Sequence, residues 1–97
     1  MARQSDLAAA FDLAIDQVQR AIAAGMVTIS GEPARAQLES LRQNLEAERP
    51  KAIERGKVNL DWFQTTLRWV VEWAPETDLT LIAALGKIAR VPPRSVS

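Results

Sequence analysis

Residues 59–74 read NLDWFQTTLRWVVEWA, and this stretch decides the fold class because its apolar residues follow helical spacing. Asn59 is a favourable N-cap and Pro75 cannot continue a helix, so a helix is predicted from Leu60 to Ala74. On a helical wheel, one arc of about 100° holds six apolar residues: Leu60, Phe63, Leu67, Val70, Val71 and Ala74. An adjoining arc of about 40° holds Trp62, Trp69 and Trp73. A helix that is apolar around more than half its girth is expected to be central.

The residues before this stretch predict two more helices, near residues 6–24 and 33–54. Ser5 is the expected N-cap of the first helix, and Gly25 is expected to end it. The buried stripe of the first helix is predicted to be Leu7, Phe11, Ile15, Val18 and Ile22. The second helix should be an outer one that shows the core only a narrow seam: Ala34, Leu38, Leu41, Leu45, Glu48 and Ala52. Residues 26–30, between the two helices, are predicted to be an extended connector or a very short strand.

Two prolines and one glutamate modify the prediction for the second helix. Pro33 suits the first helical position, whereas Pro50 lacks a backbone donor and should kink or break the helix. Glu48 falls in the seam beside this interruption, and we expect it to lie at a frayed, exposed end.

A fourth helix is predicted near residues 78–90, capped by Thr77 or Asp78 and ended by Pro92 and Pro93. Its inward residues should be Leu81, Leu85 and Ile88, and Gly86 should mark close contact with a neighbouring helix. Four helices with short loops predict an all-α fold, either a small four-helix bundle or an orthogonal helical array. We expect one domain over residues 1–97, ordered from about residue 5 to 91, with a frayed tail over residues 92–97. Its packed centre should be Phe11, Ile15, Leu67, Val70 and Leu85.

The amino-acid composition excludes the side chains that most often act as catalytic groups. The 97 residues include neither Cys nor His, so thiolate nucleophiles, imidazole bases and the commonest zinc ligands are missing. We therefore expect no enzyme activity, no cofactor and no metal. The chain has 12 basic and 12 acidic residues and a net charge of zero, which argues against nucleic acid or an anionic membrane as partner. No apolar run is long enough for a membrane span, and a cytoplasmic location is expected.

Two charged groupings are interpreted as ordinary solvated surface. Asp12 and Asp16 lie one helical turn apart, but two carboxylates are too few for a closed metal site, and Arg20 can pair with Asp16. The basic residues Arg49, Lys51, Arg55 and Lys57 are interrupted by acids and have no interleaved aromatics. Charge also differs along the chain, since the first 48 residues carry 4 basic and 7 acidic side chains while the rest carry 8 and 5.

The tryptophans Trp62, Trp69 and Trp73 are the candidate interface residues, because tryptophan is enriched at binding hot spots. The main hypothesis is a non-enzymatic interaction module, an adaptor, scaffold or homo-oligomer, that binds a protein partner or a second copy through this helix. The competing interpretation is that all three rings fill the core.

An alternative hypothesis is a small DNA-associated regulator of antitoxin or repressor kind. Residues 81–97, LIAALGKIARVPPRSVS, resemble the first helix, turn and opening of a helix-turn-helix unit. These residues end where the recognition helix would begin, so we expect no element to enter the major groove unless the natural protein continues past Ser97. In architecture alone, a compact helical bundle of this size is also similar to the death-like adaptor domains of bacterial defence systems, which would imply recruitment of effectors.

Overall fold

The predicted all-α fold is confirmed in a computed structural model that describes residues 2–74 and 80–91. The described residues form four helices: α1 (Ala2–Ala24), α2 (Arg35–Arg55), α3 (Leu60–Trp73) and α4 (Thr80–Arg90). Their bounds lie within a few residues of the predicted ones. The only β pairing in the described ranges is an isolated bridge between Val27 and Pro33.

Local capping chemistry explains the ends of two helices. The Asn59 side chain accepts hydrogen bonds from the backbone N–H groups of Asp61 and Trp62, at 3.0 and 3.2 Å, which confirms the predicted N-cap of α3. Gly25 has φ 73°, a left-handed conformation that an L side chain adopts at a cost, and it ends α1 as predicted. The predicted cap at Ser5 is wrong, because α1 already begins at Ala2 and places Ser5 inside the helix.

The seam of α2 is confirmed at every position. Its members are all buried: Ala34, Leu38, Leu41, Leu45, Glu48 and Ala52. The helix continues through Pro50, so the predicted break is wrong, while a kink at that residue stays a prediction. Pro50 is exposed, and the missing N–H therefore costs one hydrogen bond on the solvent side without opening the seam. Pro33 precedes α2 instead of beginning it, since the helix starts at Arg35.

The central helix is α1, which packs against both α2 and α4, whereas α3 lies beside α4 and reaches α1 and α2 through its side chains. The prediction of a central α3 is therefore wrong. Small residues explain why α1, and not α3, is central. Ala10 and Ala14 of α1 are buried and allow neighbouring helices to approach closely. Of the predicted packed centre, Phe11, Val70 and Leu85 are buried, but Ile15 and Leu67 are only partly so.

Gly86 does not mark a close helix contact. A Cβ built at this position meets no other atom within 4 Å, apart from the helix's own nearby backbone and the adjacent residues. The prediction failed because Gly86 lies on the side of α4 away from its buried residues Leu81, Leu85 and Ile88. Some predictions fall outside the described residues: the caps at Thr77 and Asp78, the prolines at 75, 92 and 93, and the tail over residues 92–97.

A short hairpin over residues 26–34 connects α1 to α2 and reaches the end of α3. Its own hydrogen bonds join Thr28 N to the Glu32 carbonyl at 2.7 Å and Ala34 N to the Met26 carbonyl at 3.0 Å. The backbone N–H of Ile29 donates to the Trp73 carbonyl at 2.9 Å. This bond satisfies one of the carbonyls that a helix end leaves without a partner, and it fixes the hairpin against the last turn of α3.

Candidate protein interaction surface

One side of α3 leaves apolar side chains in water. Leu60 is 59% exposed and Val71 is 52% exposed, and the partly buried Phe63 and Leu67 lie between them along the helix. On a helical wheel these four residues share an arc of about 80°. We call them the outer flank of α3. The sequence placed all four on the apolar arc of a helix that was expected to be central, whereas Leu60 and Val71 are exposed.

The tryptophans occupy the other side of α3. Trp62 and Trp69 lie about 160–180° around the helix from Leu60 and Val71, and we call this pair the tryptophan flank. The indole N–H of Trp62 donates to Asn44 Oδ1 at 3.0 Å, and its ring centroid lies 5.8 Å from that of Phe11. The tryptophan flank therefore faces α2 and α1. Both rings are partly buried and keep an exposed edge.

Trp73 is the most buried of the three rings, with 8% of the residue exposed. It makes an edge-to-face contact with Trp69, with ring centroids 5.3 Å apart and an interplanar angle of 68°. Trp69 also lines a cavity of about 330 Å³ between α2 and α3, together with Ser40, Asn44, Thr65 and Thr66. The three tryptophans therefore differ in burial. Trp73 lies in the core, and Trp62 and Trp69 lie at its edge.

The sequence showed that α3 is apolar around more than half of its circumference, but it did not show which arc of the helix faces the core. Only Thr66, Val70 and Trp73 are buried within the helix. They lie between the outer flank and the tryptophan flank on the wheel, so α3 packs through the boundary of the two predicted arcs. The three buried residues form one strip of the helix surface, and the flanks on either side of it stay exposed or only partly buried.

Charged residues border the outer flank. Asp61 and Arg68 are exposed, lie about 20° apart on the wheel, and are separated by two helical turns. Neither forms an ion pair among the described residues. One margin of the flank therefore carries a negative group near the start of α3 and a positive group towards its end.

Most charges of α2 are neutralised within the fold. Arg42 lies between Glu39 and Glu46, with nitrogen to oxygen distances of 2.9 and 3.2 Å. The hydrogen bond to Glu39, followed by the charge of Glu46, raises the pKa of Arg42 above its usual value. This surface offers a partner little uncompensated charge.

The basic cluster is divided by ion pairs. Arg49 reaches Asp12 of α1 at 2.9 Å, and Arg55 reaches Glu48 at 2.7 Å. Of its four cations, only Lys51 and Lys57 have no ion pair in the described ranges. Two separate lysines are a weak basis for contacting a phosphate backbone. Asp16 pairs with Arg20 at 2.8 Å, as predicted.

The burial of Glu48 contradicts a further prediction. Its side chain is 9% exposed, so it belongs to the buried seam and does not lie at a frayed end. Burial is possible because the helix continues past Pro50 and brings Arg55, seven residues on, to the carboxylate.

Comparison with known protein families, curated proteins and solved structures gave no match for this chain. Among the described residues, no cluster of three His, Cys, Asp or Glu side chains could hold a metal ion. No helix in the described ranges is both long and apolar enough to cross a membrane. The candidate functional surface is formed by the outer flank and the tryptophan flank of α3, whose apolar side chains stay at least partly exposed.

Proposed function

We propose that this protein is a non-enzymatic interaction module that associates with a second copy of itself through α3. The observation that carries the proposal is the outer flank, where Leu60 and Val71 are more than half exposed beside partly buried Phe63 and Leu67. Exposed apolar residues in one contiguous row are typical of interaction sites, whereas scattered ones need no explanation.

The charges at the margin support a second copy of the chain as the partner. In an antiparallel pair related by a two-fold axis, Asp61 of each copy lies near Arg68 of the other. In a parallel two-fold pair, this margin of one copy lies on the opposite side of the interface from the same margin of the other, so the charges of the two copies do not meet. An antiparallel dimer therefore buries the apolar row and pairs the charges at the same interface.

The size of the surface sets the strength of the association. The row from Leu60 to Val71 spans about 16 Å along the helix, so it covers far less than the ~800 Å² per partner of a standard interface. The dimer should be weak and concentration-dependent. The exposed edges of Trp62 and Trp69 stay candidate contacts for a larger assembly or for an adaptor partner.

Sedimentation velocity over a wide concentration range tests the proposal. The parent chain should shift from monomer to dimer as concentration rises. The double variant Leu60→Gln/Val71→Gln should remain monomeric with unchanged helicity, because it removes the most exposed apolar groups of the outer flank. Ile29→Gln is the matched control, since Ile29 is 58% exposed in the hairpin and should not affect the dimer.

A charge exchange tests the orientation. Asp61→Arg should weaken the dimer by placing two positive groups together, and adding Arg68→Asp should restore it. A parent chain that is monomeric at every concentration would overturn the proposal. Equal loss of association in Ile29→Gln would also overturn it, because the outer flank would then have no special role.

A further inference from the structure

Charged residues continue along the margin of the outer flank, beyond Asp61 and Arg68. Glu72 is exposed and lies about 20° from Asp61 on the helical wheel, so it extends the same margin towards the end of α3. Lys57 is exposed in the loop before α3 and lines a cavity of about 400 Å³ together with Leu60 and Asp61. It therefore lies beside the first turn of the helix, next to the most exposed residue of the outer flank.

None of the four charged residues of this margin forms an ion pair with another described residue. They are Lys57, Asp61, Arg68 and Glu72. On α2, by contrast, all four arginines reach a carboxylate of the same chain. Exposed charges are often solvated and gain little from pairing, so the order of these four along the chain is the informative feature.

The order of the four charges is antisymmetric about one point. Their signs run positive, negative, positive, negative, and the intervals between them are four, seven and four residues. The midpoint of Asp61 and Arg68 lies between residues 64 and 65, and the midpoint of Lys57 and Glu72 lies at the same place. A two-fold axis at this point, perpendicular to α3, would place every charge of one copy opposite a charge of the other sign.

We propose that the loop before α3 is part of the dimer interface, in which Lys57 of each copy pairs with Glu72 of the other. This inference rests on the proposed antiparallel dimer and extends its surface beyond the outer flank. The two-fold axis that brings Asp61 to Arg68 also brings the last turn of one α3 to the loop of the other copy. Val71 of the second copy then lies over the cavity beside Leu60. The partner that fits this surface is another copy of the chain, held by four ion pairs around an apolar centre.

The same charges select the register of the two helices. If one copy slides by four residues, about 6 Å along the axis, like charges meet. Sliding in one direction brings Lys57 to Arg68 of the other copy, and sliding in the other direction brings Asp61 to Glu72. Charges beside the apolar seam of a coiled coil set partner choice and orientation in the same way. The margin therefore favours one register of the antiparallel pair over its neighbours.

Charge exchange at the two new positions tests the pairing by sedimentation velocity at low ionic strength, where exposed pairs are least screened. Lys57→Glu and Glu72→Lys should each weaken the dimer about 5- to 30-fold, because each places two like-charged pairs in the interface. The double variant Lys57→Glu/Glu72→Lys should restore the association of the parent chain. Circular dichroism should show unchanged helicity in all three variants, since both side chains are exposed and have no ion pair in the described ranges.

A mixture of the two single variants shows whether the pairing joins two chains. A heterodimer of Lys57→Glu with Glu72→Lys has two correct pairs, so it should form with about the affinity of the parent and more tightly than either homodimer. The two variants also carry opposite net charges, which attract each other wherever the substitutions lie. The matched control is a mixture of Lys51→Glu and Glu54→Lys, which has the same net charges on exposed residues of α2 outside the cavity. Its gain in affinity over the separate variants should be much smaller.

The possible outcomes separate this pairing from the dimer itself. The pairing is overturned, and the dimer stands, if the parent dimerises and Lys57→Glu associates equally well. It is also overturned if the two mixtures gain equally, or if the double variant stays as weak as the single ones. A parent chain that is monomeric at every concentration overturns both proposals.

Discussion

Val70 and Val71 are neighbours in α3 that test which side of the helix packs. Val70 is fully buried, at 0% exposed, and Val71 is 52% exposed. Substituting each by Ala removes the same two methyl groups from the same helix, so helix propensity changes equally in both variants. Any difference in stability therefore reports burial alone.

The expected magnitudes follow from this burial. Removing two buried methyl groups costs about 1.6 kcal/mol of transfer free energy, and the cavity left behind adds about 1 kcal/mol. The higher helix propensity of alanine offsets about 0.5 kcal/mol of this loss in the free energy of unfolding. Val70→Ala should thus lower the free energy of unfolding by about 2 kcal/mol, while Val71→Ala should change it by less than about 0.5 kcal/mol.

Thermal unfolding followed by circular dichroism measures the difference. For a domain of this size, about 2 kcal/mol corresponds to a fall in Tm of about 8–16 °C, against a few degrees at most for Val71→Ala. Melts at low protein concentration keep self-association from adding to the apparent stability. Equal shifts, or a larger shift for Val71→Ala, would refute the assignment of the outer flank.

Four further substitutions have definite expected outcomes in urea unfolding. Pro50→Ala should raise the free energy of unfolding by about 1–3 kcal/mol, because α2 already runs through Pro50; no gain would mean that the helix is kinked to fit this proline. Gly86→Ala should add about 0.5–1 kcal/mol, since a Cβ there meets open space, and a loss would reveal a hidden neighbour. Arg55→Ala should destabilise the fold more than Glu48→Leu, because it leaves a buried carboxylate unpaired; the reverse order would contradict the burial of Glu48.

The sequence predicted α2 best because only one side of that helix is apolar. When a single narrow seam exists, periodicity identifies the buried residues, and the seam from Ala34 to Ala52 is buried throughout. Caps at Asn59 and Gly25 were equally predictable, since a side-chain acceptor and a left-handed φ are local requirements.

The candidate surface was harder to predict because α3 is apolar on two sides. Periodicity shows that Leu60 and Val71 share a face, but only the way in which α3 packs on the other helices decides that this face stays in water.

The contact between α1 and α4 has a consequence for the nascent chain. At translation rates of about 5–20 residues per second, α4 is synthesised about 3–13 s after α1 is complete. During that interval, the side of α1 that later packs against α4 is uncovered, even if α2 has already docked on the other side. An emerging chain with an uncovered apolar helix is a natural client for ribosome-associated chaperones, and mutations that slow the docking of α4 would prolong that dependence.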